Sequence, residues 1–429
     1  MNKPPLSANR QALAWASYDW ANSAFATTIM VGFFPVFFKQ YWANDMAAEE
    51  STFWLGVGSS AYALIVAMIA PLLGSIADAS NSHKKFLASQ MILGASMSAG
   101  LFWVGSGQWQ AAMIVYGLGA IGFALGNVFY DSLITRVATP QSVDRVSTLG
   151  YSLGYLGGGL LFLVNVLMVA KPQWFGISDP ALAVRIAFLM VGVWWLLFSL
   201  PVFLFVGKDE SYQTVPGRNW LSGVRELRNT FREIRKLRTV WLFLLAYFLY
   251  IDGVNTITKM AVDFGLSLGF SADKLMMALL LVQFIAFPAT LLSSRLADYA
   301  SPKIALFIAL GVYVLATGYG YFMQDEWQFF VLAGMIGLAI GVVPALSRSM
   351  FSRLIPPGKS GEFFGFYGMF GRFAAVLGPV LVGWVTLSLG NPRLGILSIN
   401  ILLFSGAALL LLVKIPERQS FEVAGDIHV

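Results

Sequence analysis

Twelve windows of about twenty mainly apolar residues run along this chain, each long enough to cross the hydrocarbon core of a bilayer as a helix. They fall near residues 12–37, 53–77, 86–104, 110–135, 146–170, 184–206, 240–262, 274–294, 303–323, 328–351, 363–388 and 394–414. In lipid every backbone polar group must be satisfied inside the structure, so this pattern admits a bundle of spanning helices and little else. Composition agrees, with 57% hydrophobic and 12% charged residues, against about 25% charged in a soluble domain. A water-soluble fold is excluded.

The polar start, Met1 to Arg10, leads into an apolar stretch longer than a signal-peptide core and without a small-residue cleavage site, so it reads as a first span that stays. An even number of spans puts both termini on one side. With that side cytoplasmic, 20 of the 28 Lys and Arg residues fall in cytoplasmic segments, 5 in outer loops (Lys39, Lys171, Arg185, Lys274, Arg393) and 3 at membrane depth, as the positive-inside rule requires. The chain divides into an N-terminal six-helix bundle (1–206), a basic cytoplasmic linker (207–239) and a C-terminal six-helix bundle (240–429). The linker carries eight basic residues, among them Arg225, Arg228, Arg232, Arg235 and Arg238, and reads as a solvated tether near anionic headgroups. Compactness and the lack of sorting segments point to a bacterial inner membrane.

Several function classes drop out. Cysteine is absent, and His83 and His428 stand alone in polar segments, so no metal cluster or disulfide is expected. Gly358, Lys359 and Ser360 imitate the end of a phosphate loop, but Arg353 occupies the place of its first glycine, so ATP-driven pumping is unsupported. No nucleophile–base pair suggests an enzyme, no cofactor is implied, and the basic charge belongs to loops flanking spans rather than to a nucleic-acid surface.

The two halves echo one another. Asp19 and Asn22 in the first span are matched by Asp252 and Asn255 in the seventh. GSIAD at 74–78 is matched by SRLAD at 294–298, each followed by lysine, and GFALG at 122–126 by GLAIG at 337–341. Transporters built this way hold substrate at the interface of the repeats near midplane. The GSIAD loop resembles the signature of the major facilitator superfamily. That resemblance implies Asp78 at an inner gate, facing the positive N-terminal end of a helix in the other half, with Asp298 as its counterpart.

Longer segments narrow the resemblance: WASYDWANSAFATT (15–28), DRVSTLGYSLGYLGGG (144–159), QFIAFP (283–288), PALSRSMFSRLIPP (344–357) and GEFFGFYGMFGRF (361–373). Together they resemble the vacuole-effluxer-like family of that superfamily, which includes the fungal autophagy-related vacuolar amino-acid effluxer. The resemblance implies an all-α membrane fold of two six-helix bundles, a monomer, and amino-acid export. It carries no set of substrate ligands.

Ionisable side chains at membrane depth are costly and mark functional paths. Here they are Asp19, Asp131, Asp252, Lys259, Arg348 and Arg372. Asp252, Asn255, Lys259 and Asp263 recur at intervals of three and four and share one helix face, so this stripe is expected to line a cavity. Asp252 is read as an ammonium ligand or proton carrier, set against a structural pair with Lys259 or Arg372. Asp19 and Asn22, with Tyr18 beside them, form the matching group on the first span. Asp131 and Arg348 sit toward the cytoplasmic ends of their spans and are assigned to the gate. Gly150, Gly154 and Gly158 on the fifth span, with Gly361, Gly365, Gly368 and Gly371 on the eleventh, are expected to form the surfaces on which the halves rock.

The resulting expectation is a secondary transporter of a small polar or zwitterionic solute, with amino-acid efflux and a proton as coupling ion. Sodium coupling and uniport stay open. The alternatives are a flippase for lysolipids or lipid intermediates, and a transporter of another metabolite, vitamin or drug.

Overall fold

The computed structural model describes residues 6–207, 232, 234, 236–356, 358–374 and 377–415, apart from the side chains of 6–9, 48, 49, 52, 262, 263, 266, 267, 272, 273 and 392. Most of the basic linker, the side chain of Asp263, and His428 lie outside the described residues.

Among the described residues there are twelve helical spans, in two sets of six. The first set is α1 (Arg10–Trp42), α2 (Phe53–Ser80), α3 (His83–Trp103), α4 (Trp109–Val137), α5 (Val143–Ala170) and α6 (Pro180–Phe205). The second is α7 (Arg238–Ala261), α8 (Lys274–Tyr299), α9 (Pro302–Phe322), α10 (Glu326–Ser352), α11 (Ser360–Leu389) and α12 (Arg393–Leu411). Polar residues ahead of some of the apolar runs cap the helices that follow. Asp179 accepts from the Ala181 N–H with Pro180 in the first turn, and Ser301 does the same for Ile304 ahead of α9. Asp325 and Gln328 form a capping box at the start of α10, satisfying donors that the first turn leaves free.

The described chain starts and ends on one side of the bundle, called here the terminal face. There the repeat is visible in hydrogen bonds. Lys84, at the start of α3, donates to the carbonyls of Phe203 and Val206 at the end of α6. Lys303, at the start of α9, donates to those of Leu411 and Val413 at the end of α12. Each lysine ties the last helix of its half to the third.

Contacts between the halves gather at mid-depth and on the terminal face. Helix α2 meets α11 backbone to backbone: a Cβ on Gly74 would overlap the Gly361 carbonyl, and one on Gly365 would lie 2.7 Å from Pro71 Cα. Ser152 on α5 donates to the Phe287 carbonyl of α8 at 2.9 Å. The glycines of α5 behave otherwise than expected. Added Cβ atoms on Gly150, Gly154 and Gly158 would meet Trp15, Asp19, Tyr130, Ser23 and Thr27, all in the first half. They let α1 lie close on α5, while the close approach between the halves is made by Gly74 together with Gly361 and Gly365, two of the expected glycines of α11.

Replacing Gly74 by valine should push α2 off α11 at an overpacking cost of about 1–3 kcal/mol. In this cysteine-free chain a single Ser352→Cys thiol at the terminal face should then react faster with a bulky maleimide than in the Gly74 background. Unchanged labelling would show that the contact does not hold that face shut.

Candidate functional site

A cavity of about 290 Å³ lies between the halves, walled by α1, α4 and α5 on one side and α7, α8 and α10 on the other. Its volume suits a small solute. The wall toward the far face is largely apolar, with Phe162, Ala278, Leu279 and Phe329, and the chemistry collects at the opposite end.

Arg348 is 1% exposed and forms the floor. It comes from α10 and reaches across to the first half. Its Nε donates to Ser147 Oγ at 2.9 Å, one terminal nitrogen to the Ser147 carbonyl at 2.9 Å, and the other to Asp131 Oδ1 at 2.8 Å. The same nitrogen lies 3.5 Å from Asp19 Oδ2. The guanidinium carbon stands 4.2 Å from the Tyr151 ring centre and 4.7 Å from that of Trp15, positions where the aromatic faces attract a cation.

Asp19 is held by the Tyr130 hydroxyl, which donates to Oδ2 at 2.8 Å. Trp15 in turn stacks on Tyr130 and donates through Nε1 to its carbonyl at 2.9 Å. The Asn22 amide donates to Asn127 Oδ1 at 2.5 Å, and both residues line the cavity beside the two carboxylates. This orientation keeps the Asn127 N–H groups available to an acceptor.

The sequence placed several of these residues elsewhere. Asp131 and Arg348, assigned to the gate, stand in the cavity wall with Asp19 and Asn22. Tyr18 packs on Tyr130 behind that wall rather than lining it. Asp252, Asn255 and Lys259 are absent from the lining, and α7 contributes Thr258 and Ala261 instead. The reason is the rotation of α7: Gly253 packs on Leu403 and Ile399 of α12, and Asp252, fully buried, accepts from the Gly378 N–H of α11 at 2.9 Å. Asn255 is half-buried and Lys259 is exposed. Arg372 is half-buried and donates to the carbonyls of Gly368 and Ala124. Neither Lys259 nor Arg372 forms an ion pair with Asp252 within 4 Å.

At the terminal face Asp78 accepts from the N–H groups of Gly361 and Glu362, at 2.8 and 2.7 Å, across the half-to-half boundary. His83 lies 2.8 Å from the same carboxylate through Nε2, and Arg136 lies 2.6 Å from its Nδ1. Arginine only donates, so Nδ1 is the acceptor and the Nε2 hydrogen goes to Asp78. Asp298 pairs with Arg145 at 2.6 Å, and Arg353 with Asp144 at 2.5 Å, again between halves. Sequence reasoning missed His83, Ser147 and Tyr151. His83 stood five residues after the signature aspartate, a spacing that could have drawn attention. Nothing in sequence marked Ser147 and Tyr151, because their importance comes from a residue some two hundred positions away.

Residues 49–420 match the family described as vacuole effluxer Atg22 like. The chain belongs to that family. The MFS-type transporter YxiO of Bacillus subtilis (strain 168) is 34% identical over 418 residues, 97% of each chain. Autophagy-related protein 22 of Yarrowia lipolytica is 30% identical over 305 residues, 64% of this chain and 51% of its own. The chain thus spans about half the length of that fungal relative. Among solved structures, the human organic anion transporter MFSD10 superposes with a TM-score of 0.74 at 17% identity, covering 95% of this chain and 100% of that one. The proton:xylose symporter XylE gives 0.69 at 16% identity, covering 95% of each. These two likenesses bear on the fold, which is that of the major facilitator superfamily. This Atg22-like protein is a multi-pass membrane transporter and not an enzyme.

Arg348→Met should be costly, because it strands the buried Asp19 and the half-buried Asp131, and breaking a buried pair costs about 3–5 kcal/mol. The detergent-solubilised variant should unfold at markedly lower temperature, and Asp131→Asn in the same chain should recover part of the loss. A single variant as stable as the parent would show that the cluster is not an ion-pair network.

Proposed function

We propose that this transporter exports a small zwitterionic solute, an amino acid, in exchange for a proton by alternating access. The observation that supports this reading is the floor of the cavity, where two carboxylates share one guanidinium. Two carboxylates in a largely apolar cavity share a single cationic partner, so one of them carries a charge without a full partner, which is expensive. Two species offset it, an ammonium group or a proton on Asp19 or Asp131. If they compete for one site, exchange follows: the solute leaves as the proton enters. A solute carboxylate finds its partners in Arg348 and the Asn127 amide.

The same cluster couples occupancy to movement. Arg348 belongs to the second half and its acid partners to the first, so an ammonium or proton drawn to Asp131 weakens a bond that holds the halves together at the floor. The Asp78, Asp298 and Asp144 contacts then act as the gate of the terminal face. Lysine and arginine in loops on that face support its assignment to the cytoplasm. The homology to YxiO supports a bacterial inner membrane, and superfamily membership supports a monomer.

The test is exchange of radiolabelled neutral amino acids in proteoliposomes under an imposed proton gradient. The parent should accelerate under the gradient. Asp131→Asn should keep exchange between equal pools while losing at least tenfold of the gradient-driven flux. Selective movement of a lysolipid with no amino-acid exchange would sink the proposal and favour a flippase, to which the apolar far wall would then belong.

A further inference from the structure

A second cavity, of about 340 Å³, lies at the terminal face where the two halves meet. The first half supplies His83, Arg136 and Thr139 to its wall, and the second supplies Arg353 and Ser360. Among the described residues it shares no lining residue with the solute cavity.

Arg353 is buried here with its hydrogen bonds incomplete. Its side chain is 6% exposed. Nη2 donates to Asp144 Oδ2 at 2.5 Å and to the Pro140 carbonyl at 3.2 Å. Nε is buried and has no partner among the described residues. A cationic N–H removed from water without an acceptor is costly, and the cavity that Arg353 lines has room for one. Arg136 joins the wall from the other half. Its Nη2 donates to Asn81 Oδ1 at 2.8 Å and lies 2.6 Å from His83 Nδ1. Asp78, the one carboxylate among the described lining residues, is already engaged by His83 and by the N–H groups of Gly361 and Glu362.

Two guanidiniums thus line one space from different halves, and an anion shared between them lowers the cost of keeping them there. Arg136 stands at the end of α4, Arg353 just past the end of α10, and the Ser360 hydroxyl at the start of α11. Donors set on three separate elements suit the tetrahedral oxygens of a phosphate group, which arginine binds through charge-assisted hydrogen bonds. We propose that this cavity is a binding site for a phosphate group, carried by a free anion or by a lipid headgroup, and that its occupant holds the terminal face shut. Opening that face parts the walls, so the ligand binds the closed form and stabilises it by mass action. The site stands whichever solute the central cavity takes, while its closing role rests on the alternating access proposed above.

The experiment uses the full cysteine-free chain with inorganic phosphate as the probe. Calorimetric titration in a maltoside detergent, compared with chloride at equal ionic strength, should show saturable binding. Arg353→Gln should weaken it about tenfold, as expected for one lost bond to a charged group. Arg353→Lys keeps a cation for Asp144, so it should unfold at the parent's temperature and still bind phosphate less well. The closing role is read at Ser349→Cys, a fully buried position one turn before Arg353. Its maleimide labelling should slow about fivefold when phosphate stands at about four times its dissociation constant. In phosphatidylglycerol nanodiscs without free phosphate, slowing that Arg353→Gln removes would make the headgroup the source. Neither effect in either medium, or effects that Arg353→Gln and Arg353→Lys both leave intact, would overturn the proposal. Binding that leaves labelling unchanged overturns the closing role. If Ser349→Cys stays unlabelled without phosphate, alternating access fails at that face, and the titration still decides the site.

Discussion

The structure turns on one buried guanidinium. Arg348 leaves the second half and is gripped in the first by Ser147, Asp131 and, at longer range, Asp19. A charge removed from water needs partners on several sides, and here those partners can be supplied only when the halves are together. The aromatic box of Trp15, Tyr130 and Tyr151 completes the shell. Closure at the cavity floor and the chemistry of the cavity are therefore the same set of bonds.

The terminal face repeats that logic with backbone donors. Asp78 binds the start of α11, and His83 and Arg136 fix its orientation through a chain of hydrogen bonds. Gly74 and Gly361 let α2 and α11 come near enough for those bonds to form. The ion pairs of Asp298 and Asp144 stand at the start of α5. Such contacts are individually modest, and they make and break without leaving large apolar surfaces exposed. The alternating access proposed above requires bonds of that kind.

The repeat supplies a scaffold, and the two copies then diverge in use. Asp19 and Asp252 hold matching places in sequence, yet Asp19 enters the cavity while Asp252 faces α11. The difference arises in packing. Gly150 and Gly154 on α5 leave room for Asp19 to meet Tyr130 and Arg348. On the other side Gly253 seats α7 against α12, and Gly378 leaves a place for the Asp252 carboxyl against α11.

The sequence by itself determined the twelve spans, because only helices about twenty residues long and apolar satisfy the backbone in lipid. It also singled out Asp19, Asp131, Asp252, Lys259, Arg348 and Arg372, since charge at that depth is expected only where it has a task or a partner, and of these Lys259 is exposed. Helical periodicity says which residues share a face, but not toward what that face is turned. That is why periodicity points the Asp252 stripe toward a cavity, and why depth along the span points Asp131 and Arg348 toward the gate before substrate contact. Only the tertiary structure decided which carboxylates meet which guanidinium, because such pairs form between helices far apart in the chain. It decided too that Ser147, Tyr151 and His83 belong with them, for their roles exist only once α10, α4 and α2 have come to stand beside them.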